Sequence, residues 1–133
     1  MPISIPMELK EFISGRTAWV ATADSSGQPN VAPKGTLKVI DDQTLAFADL
    51  FSVKTRQALE ENGKISVAVI ESGKPIGYQF KGTAELLNTG PLFEDFCENL
   101  KKAGMPAPAY VTKITVEEIY NLAPGPEAGK KIL

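Results

Sequence analysis

A mainly antiparallel β fold, a barrel or sandwich with small helices outside it, is the class this sequence predicts, and three observations predict it. About six short runs of strand-forming residues are separated by clusters of turn formers. Three brief segments carry apolar residues at helical spacing. The two kinds of element do not alternate as strict βαβ units, which argues against a parallel, doubly wound sheet.

Residues 5–14 hold Leu9, Phe12 and Ile13 on one helical face, with Ser4 as a candidate cap, Pro6 near the first turn and Gly15 to end the helix. Residues 17–23 (TAWVATA) are rich in β-formers. Asp24-Ser25-Ser26-Gly27 then turns the chain into a second extended run over residues 29–40. Asp41-Asp42-Gln43 turns it again into a strand at residues 44–48, so a three-strand meander is expected. A short helix follows over residues 53–62, preceded by Ser52 and closed by Gly63. Residues 64–70 (KISVAVI) alternate, residues 71–75 turn, and residues 76–88 return as a long strand in which Gly77 and Gly82 permit bends. Behind Thr89-Gly90-Pro91, the residues Leu92, Phe93, Phe96, Cys97 and Leu100 form the apolar stripe of a helix over residues 91–103. Cys97 reads there as a buried small hydrophobe. Residues 110–120 supply a last strand, and residues 123–129 have loop composition with little structure of their own.

With 133 residues, 43% hydrophobic and 23% charged, the chain has the size and composition of one packed domain, expected to span residues 1–133. Its 14 basic and 16 acidic residues leave a net charge of -2, without the positive excess that a nucleic-acid surface needs. Cys97 is the only cysteine, so an internal disulfide is out of reach and a reducing compartment fits. The first residues lack a basic stretch followed by an apolar run, and no segment approaches the ~18 apolar residues of a membrane span. A cytoplasmic protein without membrane contact is expected. Histidine is absent, which removes the commonest acid/base group, metal ligand and axial haem ligand. No metal site is expected, and no residue stands out as a general acid or base.

Two stretches carry chemistry. The first is Asp49-Leu50-Phe51-Ser52-Val53-Lys54-Thr55-Arg56, which sets two cations and two hydroxyls at the beginning of a helix. Cations there oppose the macrodipole by about 0.3–1 kcal/mol each unless an anion compensates. Free backbone N–H groups, the Lys54 ammonium and the Thr55 hydroxyl form a cradle for a terminal phosphate. The blander reading leaves Lys54 and Arg56 in solvent, with Arg56 meeting Glu60 one turn on. The second stretch is Ala32-Pro33-Lys34-Gly35-Thr36, inside the second extended run. Proline removes a ladder donor and glycine leaves no side chain to pack, so the segment is an edge, a bulge or a place where another group comes close. A flat aromatic ligand lying there would find room at Gly35 and a hydrogen-bond donor in Lys34. Otherwise the segment is a plain bulge with Lys34 in water.

The remaining attractive residues have plainer readings. Trp19 sits in the first hydrophobic strand and is read as core. Tyr78, Tyr110 and Tyr120 are scattered, and any of them suits core or interface. The adjacent acids Asp41-Asp42, Glu60-Glu61 and Glu117-Glu118 read as solvated surface.

In the order of its elements and in these two motifs the chain resembles the pyridoxamine 5′-phosphate oxidase-like FMN-binding split barrels, the short members in particular. WVATADSSGQPNVAPKGTLKV, SVKTRQALEENGKISVAV, GYQFKGTAEL and ITVEEIYNLAPG carry the likeness, which runs over nearly the whole chain. The resemblance implies a six-stranded antiparallel split β-barrel of Greek-key type with about three short flanking helices. It implies a homodimer holding FMN at the subunit interface. Lys54 and Thr55 would then meet the FMN phosphate, with Ser52 and Val53 beside it. Pro33, Lys34, Gly35 and Thr36 would line the isoalloxazine and ribityl chain, Ala48 and Asp49 would end the adjoining strand near them, and Gln79 would come from the partner subunit. True pyridoxamine phosphate oxidases are longer and grip their substrate with additional basic and histidine residues that this chain lacks. The implied role is therefore electron or hydride transfer between a donor and an acceptor without that activity. A flavin carrier or sensor, a deazaflavin-binding reductase and a cofactor-free interaction domain are the alternatives.

Overall fold

The computed structural model describes residues 2–50 and 52–133, so Phe51, within the first stretch singled out above, lies outside the described residues. Helix α1 (Met7–Ile13) precedes strands β1 (Ala18–Ala23), β2 (Pro29–Lys34), β3 (Lys38–Asp41) and β4 (Thr44–Asp49). Helix α2 (Val53–Glu61) leads to β5 (Lys64–Ile70) and β6 (Gly77–Leu87), and α3 (Pro91–Lys102) leads to β7 (Tyr110–Asn121). Pairing is antiparallel throughout, in the order β2-β1-β5-β6-β7-β4-β3.

The barrel is split where the sequence is continuous. Residues 29–40, expected as one strand, are two, so the sheet has seven strands where six were expected and the three-strand meander does not form. β2 takes its place beside β1 at one end of the order and β3 beside β4 at the other. Residues 35–37 carry the chain from one outer strand to the other. Pro33 offers no N–H to a neighbour on the open side, as its place on an outer strand requires. The gap is crossed by side-chain chemistry: the Ala48 N–H donates to the Thr36 hydroxyl oxygen (2.9 Å), and that hydroxyl donates to the Ala48 carbonyl (3.3 Å).

Alternation along each strand fills the interior. Ala18 and Val20, Val67 and Val69, Phe80, and Ile114, Val116 and Ile119 are buried there with Leu45 and Phe47, while Leu9 and Ile13 of α1 cover one end. Every residue of β4 is buried, because its second face, Ala46 and Ala48, packs beneath Phe96 and Leu100 of α3. The turn before β2 uses the chemistry its residues offer: the Asp24 carboxylate accepts from the N–H groups of Ser26 and Gln28 (both 2.9 Å), and Gly27 takes φ +86°.

Several expectations change. Pro6 occupies the position before α1 and no side chain caps that helix, so Ser4 is not its cap. Cys97 is half-buried on the flank of the α3 stripe, with its thiol pKa raised by desolvation and then by Glu94, and is not the fully buried hydrophobe expected. Residues 123–129 form bends and turns without helix or strand, as expected, but the chain beyond them docks on β7. β4 pairs with β7 only as far as Thr115, which leaves the N–H groups of Ile119 and Asn121 open; they donate to Leu133 and Lys130 (3.0 and 2.9 Å), and the Ile132 N–H returns a bond to Ile119 (2.7 Å). Among the described residues, no helix is long and apolar enough to cross a membrane.

Candidate functional site

Asn30, Ala32 and Lys34 share one face of β2, and Val31 and Pro33 share the other. The first face meets the loop between β4 and α2. There Lys34 is 7% exposed and does not reach into water as the bland reading had it. Its ammonium donates to the Ser52 hydroxyl and lies 3.8 Å from the Asp49 carboxylate. Asp49, 3% exposed, in turn accepts the Ser52 N–H at 2.9 Å. Ser52 therefore caps nothing with its side chain. Burial pushes the Lys34 pKa below the usual lysine range, and the Asp49 charge holds it part of the way back.

Around this cluster Ala32, Pro33, Lys34, Gly35, Thr36, Ala48, Leu50, Ser52 and Met105 line an open depression of about 520 Å³. At Gly35 an added Cβ would meet nothing within 4 Å. The glycine thus frees space on the depression and is not forced by packing within the chain. Beside it, the first turn of α2 has neither a side-chain cap nor an acidic residue, although Lys54 stands in it. Val53 and Lys54 are exposed, and the Arg56 Nε lies 3.5 Å from Glu60 one turn on, the pairing the bland reading expected.

The structure thus brings Pro33, Lys34, Gly35, Thr36, Ala48, Asp49 and Ser52 together. It separates the others. Lys54 lines a neighbouring depression with Asp24, Gln28, Asn30 and Gln57. Thr55 is 1% exposed, and its hydroxyl oxygen accepts from Asn30 Nδ2 at 3.1 Å. Sequence reasoning passed over Asn30; its place two and four residues before Ala32 and Lys34, on one strand face, was the available signal.

Gln79 lies elsewhere. Cross-strand register puts Pro33, Trp19, Ala68, Gln79 and Tyr120 in one row over five strands. Three strand spacings separate Pro33 from Gln79, about 14 Å, and Gln79 Nε2 donates to Ser66 at 2.6 Å. The row runs over the outer face of the sheet. Trp19 is 47% exposed on it, with Val31 and Ile70 also exposed, so Trp19 is not the core residue its strand suggested. Tyr78 does serve the core, edge-on to Phe12 at 5.0 Å between ring centroids.

FMN makes two demands, an anion locus and a flat, partly apolar wall. The uncapped α2 start meets the first, with Ser52 on the depression and Lys54 on the neighbouring one. Ala32, Pro33, Gly35, Ala48 and Leu50 meet the second, with Lys34 and Thr36 as polar partners at its edge.

Residues 5–123 match the sequence profile of the family described as pyridoxamine 5′-phosphate oxidase. An uncharacterized protein of Methanocaldococcus jannaschii is 36% identical over 135 residues, covering 98% of this chain and 89% of that one. HupZ of Group A Streptococcus superposes with a TM-score of 0.84 at 38% identity, over 94% of this chain and 99% of that one. An FMN-binding protein of Syntrophomonas wolfei shares the fold at 21% identity, with a TM-score of 0.68 over 89% and 84% of the two chains. The same fold recurs in the heme storage protein HutZ of Vibrio cholerae (18%, TM-score 0.66, 90% and 95% covered) and in an F420 reductase (14%, TM-score 0.67, 86% and 98% covered).

Proposed function

The chain belongs to the pyridoxamine 5′-phosphate oxidase family, and from that premise we propose that it is a cytoplasmic, homodimeric FMN-binding redox protein without the activity that names the family. One observation carries the reading: Pro33, Lys34, Gly35, Thr36, Ala48 and Ser52 converge on one depression beside a helix start that no side chain caps. FMN, when bound, supplies electron or hydride transfer between a donor and an acceptor. The protein binds and orients it. Ser52, Lys54 and the first-turn N–H groups of α2 would hold the phosphate, with Val53 and Thr55 in the same turn, and Pro33, Gly35 and Ala48 would face the ring system. Haem is the weaker reading, since the chain contains no histidine to ligate it.

Purified protein should show the absorption bands of oxidised flavin, or acquire them on titration with FMN. Lys54→Ala should weaken FMN binding about tenfold, the loss of one charge-assisted contact; unchanged affinity in that variant rejects the phosphate assignment. Turnover with NADH or NADPH separates a redox enzyme from a flavin carrier.

The outer sheet face supports the dimer. Trp19, Val31 and Ile70 leave an apolar surface there, and Gln79, too far from the depression of its own chain, stands on that face where a second copy would receive it. Trp19→Glu should yield a folded monomer by light scattering and weaken FMN binding. A dimer that survives this substitution places the interface elsewhere.

A further inference from the structure

Among the described residues, Lys34 and Asp49 are the one ion pair in which both side chains are buried, at 7% and 5% exposure. The other pairs lie at the surface or half-way to it. A buried pair is a poor device for stability, because apolar residues of similar volume often do as well. This one also stands at the depression: Lys34 and Ser52 line it, and Asp49 holds both of them, Lys34 by charge and Ser52 through its N–H. Any group that reaches Lys34 meets a cation already balanced by a carboxylate.

We propose that Asp49 is a positioning residue that cancels the charge of Lys34 and thereby keeps the reduction potential of bound FMN low. The proposal rests on the FMN reading above. Reduced flavin readily carries negative charge on its pyrimidine side, whereas the oxidised ring is neutral, so charge close to that side shifts the potential. An unbalanced Lys34 would favour the reduced form, and an unbalanced Asp49 the oxidised form. Because the pair sits in a buried setting, neither effect is screened as it would be at a surface.

The test is a charge cycle read as the midpoint potential of FMN-loaded protein, in native protein, Asp49→Asn, Lys34→Met and the double variant. Asp49→Asn should raise the preference for reduced over oxidised FMN about tenfold, a shift of about 30 mV for a two-electron couple. Lys34→Met should move the potential the opposite way, and the double variant should return close to the native value. A merely structural role gives no such opposition of sign. Shifts of the same sign, or none, with FMN bound in stoichiometric amount overturn the inference and leave the FMN reading standing. If native protein takes up no FMN, the FMN reading falls and the inference with it. Should Asp49→Asn fail to fold, Lys34→Met and the double variant give the same comparison: the loss of Asp49 must still raise the potential, and no rise overturns the proposal.

Discussion

Gly82→Ala is expected to lower the stability of the fold by about 3 kcal/mol, at the upper end of what overpacking costs. Gly82 pairs with Val116 where the β6–β7 register shifts, between Lys81 and Gly82. A Cβ built on it would stand 2.0 Å from the Thr115 carbonyl oxygen, 2.9 Å from the carbonyl carbon and 3.2 Å from the Val116 Cα. All three are backbone atoms. A side chain can swing away from a clash, whereas here β7 must be displaced, and β7 is held by β6 on one side and β4 on the other. The closest of these distances lies far inside the hydrogen-bonding range, so local relaxation of a few tenths of an ångström does not relieve it. Urea denaturation should show the midpoint moving down with the slope unchanged. A variant within about 0.5 kcal/mol of the native protein, the range of ordinary surface substitutions, would mean that the bulge slides to make room.

The same glycine marks what could be read from the sequence. Its place in a long strand pointed to a local irregularity, and the register shift between β6 and β7 falls at it; the backbone that closes on it comes from β7, more than thirty positions on. Elements whose own residues carry the period were legible: the alternation of residues 64–70 and the stripe of residues 91–103 appear as β5 and α3. Residues 29–40 were misjudged because each half finds a different partner, β1 for one and β4 for the other, and no local pattern reports that choice. Trp19 was misplaced for a related reason. Alternation tells which residues share a face of β1 but not which face turns inward, and here the smaller Ala18 and Val20 face in. The docking of residues 130–133 was not legible because it depends on the edge of β7 that β4 leaves open. Of the site, the sequence supplied both stretches. Their meeting, which the Thr36–Ala48 bonds accompany across the split, was implied by the resemblance and by no local pattern. Lys34 could thus be singled out without its partner, fifteen positions away, being recognised as such.

That partnership makes the second large prediction. Asp49→Ala in FMN-free protein should cost about 3 kcal/mol, the usual loss when one member of a buried ion pair is removed. Two contributions add. Lys34, 7% exposed, would keep a charge whose nearest counter-ion is gone, and the Ser52 N–H, which donates to Asp49 at 2.9 Å, would lose its acceptor. Depression of the Lys34 pKa by burial works in the same direction, since the ammonium is already disfavoured with Asp49 present. Replacing both residues by apolar ones, Lys34→Met with Asp49→Leu, should recover most of the loss, because neither charge then remains to be desolvated. The two substitutions are in contact, so their effects should not add, and the size of that departure measures the pairing itself. If the double variant is as unstable as Asp49→Ala, the carboxylate acts mainly as the acceptor for the start of α2 and its bond to Lys34 is incidental. Recovery in the double variant would mean that the barrel folds well without the pair, which leaves the chemistry of the depression, and not stability, as the physical reason for charges at that place.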